Sequence, residues 1–381
     1  MQLSTFSLPR NIIYGVNALN YLSQLKGKKA ALVTGGNSMK RLGFLDRAVE
    51  QLNKANFECI IIDNVEPNPS VETVHRGAEA MLAFEPDWIV AIGGGSALDA
   101  AKIMWCFYEH PQLSFEDIIP VGSMPPLRNK ARLVAIPSTS GSASEITAFS
   151  VITDTANHIK FPIVAADMVP DIAILDPLIP AKMPPHITVH TGMDVLTHAV
   201  EAYVSTAASS FTDPYALEAI RLVFENLEIA YLHPDNLEAR MGMHIASALA
   251  GIAFTNASLG LVHSMAHKVG GEFGITHGLA NAIMLPYIIR YNGRYTDKYH
   301  RIEKNLGIGD LIDAVNKLNR RLSIPETFKE CDEVIIEEES FTKVLDRMSK
   351  NAVADPCTLT NPVQPSTADV KSLFEKIYYG E

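Results

Sequence analysis

Four short runs of Val, Ile, Leu and Ala recur between residues 29 and 136, and each has the length of a buried strand. Stretches with a helical spacing of apolar residues separate these runs, so strands and helices alternate. Strands that are apolar throughout are typical of parallel sheets covered by helices on both faces. The alternation therefore predicts an α/β domain built on a parallel sheet with flanking helices. The predicted strands are 29–34, 58–63, 87–92 and 132–136, with two further β-like stretches at 149–153 and 171–175.

The pattern changes near residue 180, where several prolines interrupt the chain. From Pro184 onward the spacing of apolar residues is helical, and clear strand patterns are absent. A chain of 381 residues commonly forms two domains. We therefore predict an α/β domain over residues 1–180 and an all-helical domain over residues 181–381. The predicted helices of the second domain are 194–206, 213–231, 237–255, 263–270, 279–291, 311–322, 340–352 and 367–378.

The charge and cysteine content exclude several classes of partner. The formal net charge is −11, so attraction to a nucleic-acid backbone is not expected. No apolar run reaches the ~20 residues that a membrane-spanning helix needs. The first ten residues do not combine a basic start with an apolar core, so we expect no signal peptide. Four cysteines without close pairs favour a reducing compartment, and we expect a cytoplasmic protein.

One carboxylate and several imidazoles are concentrated between residues 191 and 279. Asp194 and His198 are spaced so that a helix would place them on one face, one turn apart. His263 and His267 have the same spacing, and His277 follows soon afterwards. Polar groups in such apolar surroundings are costly to bury without a partner. The cluster therefore predicts a metal site.

Spacing alone leaves several interpretations of this cluster open. Thr191 and Asp194 also fit a capping box at the start of a helix. His190 and Glu201 continue the same predicted helix face and are further candidate ligands. The two histidines of the second pair are interchangeable on spacing. Imidazoles and a carboxylate without a thiolate suit Fe(II), Zn(II), Mn(II), Co(II) or Ni(II) better than Mg(II) or Ca(II).

Turns rich in glycine or serine follow three of the predicted strands. They are Gly35-Gly-Asn-Ser38, Gly93-Gly-Gly-Ser96 and the segment 137–144. Parallel sheets bind ligands at the carboxyl ends of their strands, and the N–H groups of a helix N-terminus attract phosphate. A tight turn or a helix cap would explain each segment by itself, and none has the G-x-G-x-x-G spacing. Together they predict a groove for the phosphates of a dinucleotide.

These motifs together resemble the iron-containing (group III) alcohol dehydrogenases, which have the dehydroquinate-synthase-like fold. The resemblance covers nearly the whole chain. It implies an N-terminal nucleotide-binding domain and a C-terminal helical metal-binding domain. It also implies hydride transfer between NAD(P)H and a small aldehyde, primary alcohol or diol. It rests on residues 93–102 and 137–145, the Asp194/His198 helix, His263-Ser-Met-Ala-His267, His277-Gly278 and residues 355–362.

The resemblance assigns roles to individual residues. It implies that Asp194, His198, His263 and His277 hold the metal, and that His267 lines the site, where it is a candidate proton relay. Iron as Fe(II) is implied by the resemblance, whereas Zn(II) fits the same donors equally well on chemical grounds. The candidate cofactor contacts are Gly36, Asn37, Ser38, Asn68, Gly94, Gly95, Ser96, Asp99, Ser138, Thr139 and Lys160.

The chain departs from the NAD-preferring members of that family at Gly35. Those members usually have an Asp there, which accepts the ribose hydroxyls and repels a 2′-phosphate. The segment from Gly35 to Ser38 instead resembles that of NADP-using relatives. We therefore expect a preference for NADPH or dual use of both cofactors.

Two other functions are compatible with the motifs. One is a lyase or cyclase resembling dehydroquinate synthase, in which the nicotinamide is recycled. Such enzymes bind a phosphorylated substrate with several basic residues, and Lys and Arg are scarce between residues 190 and 280. The other is a metal-binding module without catalysis. Relatives in the alcohol dehydrogenase family are commonly dimers or larger, so we expect a homo-oligomer.

Overall fold

The computed structural model describes residues 5–155 and 159–380. The first four residues, which belong to the segment considered above for a signal peptide, lie outside this part. The chain divides into two compact units, and the division falls between Met183 and Pro184.

A parallel sheet is the centre of the first unit. The described strands are β1 (Asn11–Tyr14), β2 (Lys29–Gly35), β3 (Glu58–Val65), β4 (Trp88–Gly93), β5 (Arg132–Pro137), β6 (Phe149–Asp154), β7 (Ile159–Val164) and β8 (Ile172–Leu175). Six of them form one sheet in the order β1-β8-β5-β4-β2-β3, and every neighbouring pair is parallel. β6 and β7 form a separate antiparallel hairpin. The predicted α/β class is confirmed, and β7 is a strand that the sequence did not predict.

Four described α-helices flank the sheet, and the central strands β2, β4, β5 and β8 are buried on both faces. The helices are α1 (Ser38–Arg41), α2 (Phe44–Lys54), α3 (Val71–Phe84) and α4 (Gly95–Glu109). Ala31 and Val33 of β2 pack into a core with α3 and α4. Ala30 and Leu32, which point to the other face, pack into a core with α2. Burial of both faces explains why these strands lack alternating polar residues.

The second unit is helical in its described part. Its helices are α5 (Pro185–Val204), α6 (Asp213–Leu232), α7 (Leu237–Ala257), α8 (Leu261–Phe273), α9 (His277–Asn292), α10 (Lys298–Leu306), α11 (Leu311–Arg321), α12 (Glu338–Val353) and α13 (Thr367–Tyr379). The predicted helical character is confirmed, although α10 was not predicted. Among the described residues, no single helix is long and apolar enough to cross a membrane; α7 and α8 pass that test only as a pair, with a bend of 104° between them.

The start of α5 corrects one interpretation of the sequence. The helix begins at Pro185 and not near residue 194, because proline is favoured at the first helical position. Thr191 therefore lies inside the helix, where its Oγ1 donates a hydrogen bond to the carbonyl of Ile187 at 2.7 Å. The capping-box interpretation of Thr191 and Asp194 is wrong, and the Asp194 carboxylate is not used as a cap.

The end of α8 is a second correction. The helix continues past the predicted end at residue 270 to Phe273. Gly274 ends it, with a φ of 76° in the left-handed region that glycine adopts without strain. His263 and His267 lie within this helix, as they did in the predicted one.

Candidate active site

Three helices of the second unit bring the predicted metal donors together. Asp194 and His198 lie one turn apart on α5, His263 lies in the first turn of α8, and His277 is the first residue of α9. Oδ1 of Asp194 is 3.6 Å from Nε2 of His263, 3.6 Å from Nε2 of His277 and 3.9 Å from Nε2 of His198. These distances are close to the roughly 3.4 Å that separates neighbouring ligands around a tetrahedral ion with bonds of about 2.1 Å. The donor atoms of Asp194, His263 and His277 all lie within 4.8 Å of one another, so these three side chains could hold one divalent ion.

Asn281 shows that the space between these donors accepts a cationic or hydrogen-donating group. Its Nδ2 donates to Oδ1 of Asp194 at 2.7 Å, and it is 3.3 Å from Nε2 of His263 and 3.2 Å from Nε2 of His277. Oδ1 of Asn281 is buried without a hydrogen-bond partner in the described part of the chain. A metal ion would satisfy the same three acceptors, so the residues fit the ion that the sequence implied.

Gly278 explains how α9 comes close enough to α5 to place His277. A Cβ atom at this position would overlap the backbone carbonyl of His190 on α5. Only glycine allows this approach, because a hydrogen in place of the Cβ leaves room for the carbonyl oxygen. The His277-Gly278 pair therefore supplies a donor and the close helix contact that positions it.

Glu201 contacts the candidate donor cluster in a way that the sequence did not reveal. One of its oxygens is 2.6 Å from Nδ1 of His263, and the carboxylate also accepts hydrogen bonds from the backbone N–H groups of Gly260 and Val262 at 2.9 and 2.6 Å. The carboxylate fixes the N–H on Nδ1 of His263 and leaves Nε2 free to face Asp194. Glu201 is therefore a partner of a metal donor. Its place two turns after Asp194 on the same helix face was the available signal.

Electrostatics in the site favour a cation. Burial opposes ionisation of Asp194, but the surrounding histidines hold its pKa well below the usual range. Burial alone would lower the pKa of His263, but Asp194 and Glu201 raise it to about 9. Burial lowers the pKa of His198 to about 4. A bound metal would have to replace the proton of His263, whereas His198 is already neutral near pH 7.

The structure distinguishes His263 from His267, which their spacing in the sequence did not. Nε2 of His263 faces Asp194, whereas Nδ1 of His267 is 3.1 Å from Oδ2 of Asp355. The ring of His267 stacks on that of His277, with 5.4 Å between centroids, and its side chain is 41% exposed. His267 therefore lies beside the donor cluster and remains open to solvent.

His190, the other candidate ligand, points elsewhere. Its Nδ1 is 2.9 Å from Oγ1 of Thr276, which in turn donates to Glu333. Thr276 immediately precedes His277, so this contact helps to hold the start of α9.

Replacing Glu201 with Gln is expected to weaken metal binding roughly 10- to 100-fold, because an amide is a poorer acceptor for the N–H of His263. The measurement is metal retention against a competing chelator, combined with elemental analysis. The matched control is Glu225→Gln, which changes an exposed carboxylate on α6 that is paired with Arg221. A Glu201→Gln protein with unchanged metal affinity would show that Glu201 does not act through His263.

The three turns predicted to bind phosphate lie side by side in the first unit. They follow β2, β4 and β5, which are neighbours in the sheet. The N–H of Ser138 donates to the carbonyl of Gly93 at 2.8 Å, which ties the turn after β5 to the turn after β4. The Cα of Gly94 faces Thr139, and a Cβ there would be 3.9 Å from its Cγ2. Gly95 begins α4, whose first turn contains no acidic residue.

Asn68, Ser96 and Lys160 come from separate segments and meet beside these turns. The N–H of Asn68 donates to Oγ of Ser96 at 3.3 Å, and Nζ of Lys160 donates to Oδ1 of Asn68 at 2.7 Å. Asn68 has a φ of 56°, a left-handed conformation that asparagine tolerates better than most residues. The lysine therefore adds a cation next to the N-terminus of α4, where an anionic ligand is favoured.

The carboxylate of Asp99, another candidate cofactor contact, accepts hydrogen bonds from other residues of the chain. Ser144 donates to its Oδ1 at 2.6 Å, and the N–H of Val151 donates to its Oδ2 at 2.9 Å. On the same helix, the buried Nζ of Lys102 donates to the carbonyls of Thr147 and Phe149 at 2.8 and 2.7 Å. Asp99 thus fastens Ser144 and β6 to α4, and Lys102 fastens the residues around the start of β6 to the same helix.

Gly35 lies against the neighbouring strand. A Cβ at Gly35 would be 2.8 Å from the carbonyl oxygen of Val65, and the pairing of β2 with β3 shifts register between Val33 and Gly35. Gly36 follows with a φ of 52°, and Asn37 and Ser38 then lead into α1. The end of β2 therefore has little space for a side chain at Gly35.

Comparisons with known proteins extend over both units. Residues 9–177 match the family model for iron-containing alcohol dehydrogenases, and residues 188–378 match the model for the C-terminal part of the Fe-containing alcohol dehydrogenase family. An NADPH-dependent butanol dehydrogenase of Clostridium saccharobutylicum is 50% identical and covers 98% of either chain. An aldehyde-alcohol dehydrogenase of Streptococcus pneumoniae is 40% identical over 98% of this chain, which spans about half of that protein (46%). The solved structure of an iron-containing alcohol dehydrogenase from Thermococcus thioreducens has a TM-score of 0.92 and 38% identity, covering 99% of this chain and 100% of that one.

Proposed function

Because the chain belongs to the iron-containing alcohol dehydrogenase family, we propose that it reduces small aldehydes to primary alcohols, and catalyses the reverse, with NAD(P)H. The observation that carries this proposal is the convergence of Asp194, His263 and His277, whose donor atoms lie within 4.8 Å of one another. His198 adds a fourth donor on the same helix as Asp194. The scarcity of Lys and Arg between residues 190 and 280 favours a small neutral alcohol or diol over an anionic substrate.

The proposed metal ligands are Asp194, His198, His263 and His277, with Fe(II) as the resident ion and Zn(II) as a chemically suitable substitute. Bound there, the metal would polarise the carbonyl oxygen of the aldehyde, and the nicotinamide would supply the hydride. The protein's own contribution is to hold the donors. Glu201 orients His263 through Nδ1, and Gly278 lets α9 bring His277 against α5.

The proposed cofactor site comprises the three turns of the first unit, and NADPH is the preferred cofactor. Support for NADPH comes from Gly35, where no carboxylate can repel a 2′-phosphate, and from the relative that is named as NADPH-dependent. The turns offer backbone N–H groups and hydroxyls to the pyrophosphate. Lys160, held by Asn68, is a further cation beside them.

The test of this function is an assay of NADPH and NADH oxidation with butanal. We expect kcat/KM to be at least about 10-fold higher with NADPH, a difference of about 1.4 kcal/mol. Removal of the metal with a chelator should abolish the activity, and Fe(II) should restore it. A strong preference for NADH would contradict the cofactor proposal, and full activity after complete metal removal would contradict the mechanism. Lack of NAD(P)H oxidation by the metal-loaded protein would favour a recycled-nicotinamide lyase or a binding module.

We also propose that His267 relays the proton to and from solvent. Its ring stacks on His277 and its side chain is partly exposed, so it connects the donor cluster with water. His267→Ala should lower kcat roughly 10²-fold while metal content stays unchanged. The matched control is His300→Ala, because His300 is an exposed histidine on α10. An unaltered kcat and pH profile in the His267 variant would exclude the relay.

A cytoplasmic location and a homo-oligomeric assembly are further proposals. Four free cysteines support the reducing compartment. Cell fractionation and sedimentation of the purified protein test the two proposals, and a secreted or a monomeric protein would contradict them.

A further inference from the structure

A second group of potential metal donors lies beside the first and shares none of its ligands. It consists of His267 on α8, Asp355 and Cys357, whose donor atoms all lie within 4.8 Å of one another. Asp355 is the N-cap of the short helix Pro356–Thr360, and its Oδ1 accepts a hydrogen bond from the N–H of Cys357 at 3.0 Å. Its Oδ2 faces Nδ1 of His267 at 3.1 Å. One carboxylate thus holds the thiol-bearing and the imidazole-bearing segments together.

We propose that His267, Asp355 and Cys357 form a second cation site, selective for a soft divalent ion such as Zn(II) or Cd(II). A thiolate, an imidazole and a carboxylate are the donor types of zinc sites with three protein ligands and one open position. The thiolate favours Zn(II) and Cd(II) over Fe(II), whereas the first site has only nitrogen and oxygen donors. Asp355 is buried and Cys357 is half-buried, whereas His267 is exposed enough to give an ion access from solvent.

Two features make this site weaker than the first. Nζ of Lys268 donates to Oδ2 of Asp355 at 2.8 Å, so an incoming ion has to displace an ammonium group. Burial and the neighbouring Asp355 raise the pKa of the Cys357 thiol, so the S–H proton must leave to water as the S–metal bond forms. The site is therefore one that fills when zinc is in excess.

Filling this site has a consequence for catalysis that rests on the function proposed above. An ion bound to His267 would coordinate the imidazole that we assign as the proton relay and would prevent it from transferring protons. The expected effect is inhibition by excess Zn(II) or Cd(II) while the first metal stays in place.

The direct test is a titration of the metal-loaded enzyme with Cd(II), followed by its thiolate-to-metal charge-transfer absorption in the ultraviolet. The first site contains no sulfur, so this band reports on a cysteine alone. We expect the band in the wild-type protein, its loss in Cys357→Ser and its retention in Cys59→Ser, which changes another half-buried thiol. Lys268→Gln should tighten Cd(II) binding roughly 10-fold, because it removes the competing ammonium group.

Two outcomes would overturn the site: absence of the band in the wild-type protein, or a band that persists in Cys357→Ser. Because the band needs no turnover, it is independent of the dehydrogenase activity. Inhibition is measured separately with butanal and NADPH. A band that forms at the same Cd(II) concentration as inhibition supports the whole proposal. A band without inhibition would leave the cation site intact and refute the relay role of His267.

Discussion

Asp194→Asn is expected to lower kcat/KM at least about 10³-fold and to yield a protein that is purified with little bound metal. Asp194 supplies the only carboxylate among the four proposed ligands, and its Oδ1 is the atom on which the distances to three imidazoles converge. An amide at this position removes the charge that balances a divalent ion. It also replaces one of the two acceptor oxygens with an NH2 donor, so the group that accepts the hydrogen bond from Nδ2 of Asn281 is weakened.

The experiment compares elemental analysis and steady-state kinetics of Asp194→Asn with those of Asp297→Asn. Asp297 is an exposed carboxylate of the same unit, paired on the surface with Arg301, so the control makes the same chemical change away from the site. Its metal content and activity should equal those of the wild-type protein. Near-normal metal content in Asp194→Asn would refute the assignment of this carboxylate as a ligand.

Gly278→Ala is expected to disrupt the same centre without changing any donor. The added Cβ would overlap the carbonyl of His190, which is backbone of α5 and cannot turn away as a side chain could. Overpacking of this kind costs about 1–3 kcal/mol of the free energy of unfolding. Because α9 has to move away from α5, His277 shifts relative to Asp194, and displacements near 1 Å can cost about 10² in rate.

The matched control is Gly271→Ala on α8, where a Cβ would meet nothing within 4 Å. That change should raise stability by up to about 1 kcal/mol, because alanine has the higher helix propensity. Thermal unfolding and metal analysis of both variants measure the difference. If Gly278→Ala unfolded at the wild-type temperature with full metal content, the close approach of the two helices would not be what positions His277.

The sequence predicted those features that follow from local periodicity. The apolar strands, the turns after β2, β4 and β5, and the shared face of Asp194 and His198 all depend on spacing within one element. The choice between His263 and His267 depends instead on which side of α8 faces α5 and α9, and spacing along α8 carries no information on that. The positioning role of Glu201 was hidden for the same reason, since its partner lies on another helix.

The first and last residues of helices were less predictable from the sequence than the presence of the helices. Helix α5 begins nine residues before its predicted start (185 against 194). Pro184 and Pro185 were interpreted as part of the break between the domains, but proline is also favoured at the first position of a helix. Asp99 illustrates a related limit. Asp99 was a candidate cofactor contact, and the sequence did not show that Ser144 and the N–H of Val151 on β6 donate hydrogen bonds to its two oxygens.

The contact between Gly35 and Val65 constrains how this protein can evolve. A single mutation that introduces a carboxylate after β2 would force its Cβ to within 2.8 Å of a backbone oxygen on β3. The end of β3 would have to shift to admit that side chain, so exchanging the proposed NADPH preference for NADH would require a change in the main chain as well as a new side chain. The proposed cofactor preference then depends on the course of the main chain. A preference of that kind is harder to reverse than one that depends on a single side chain.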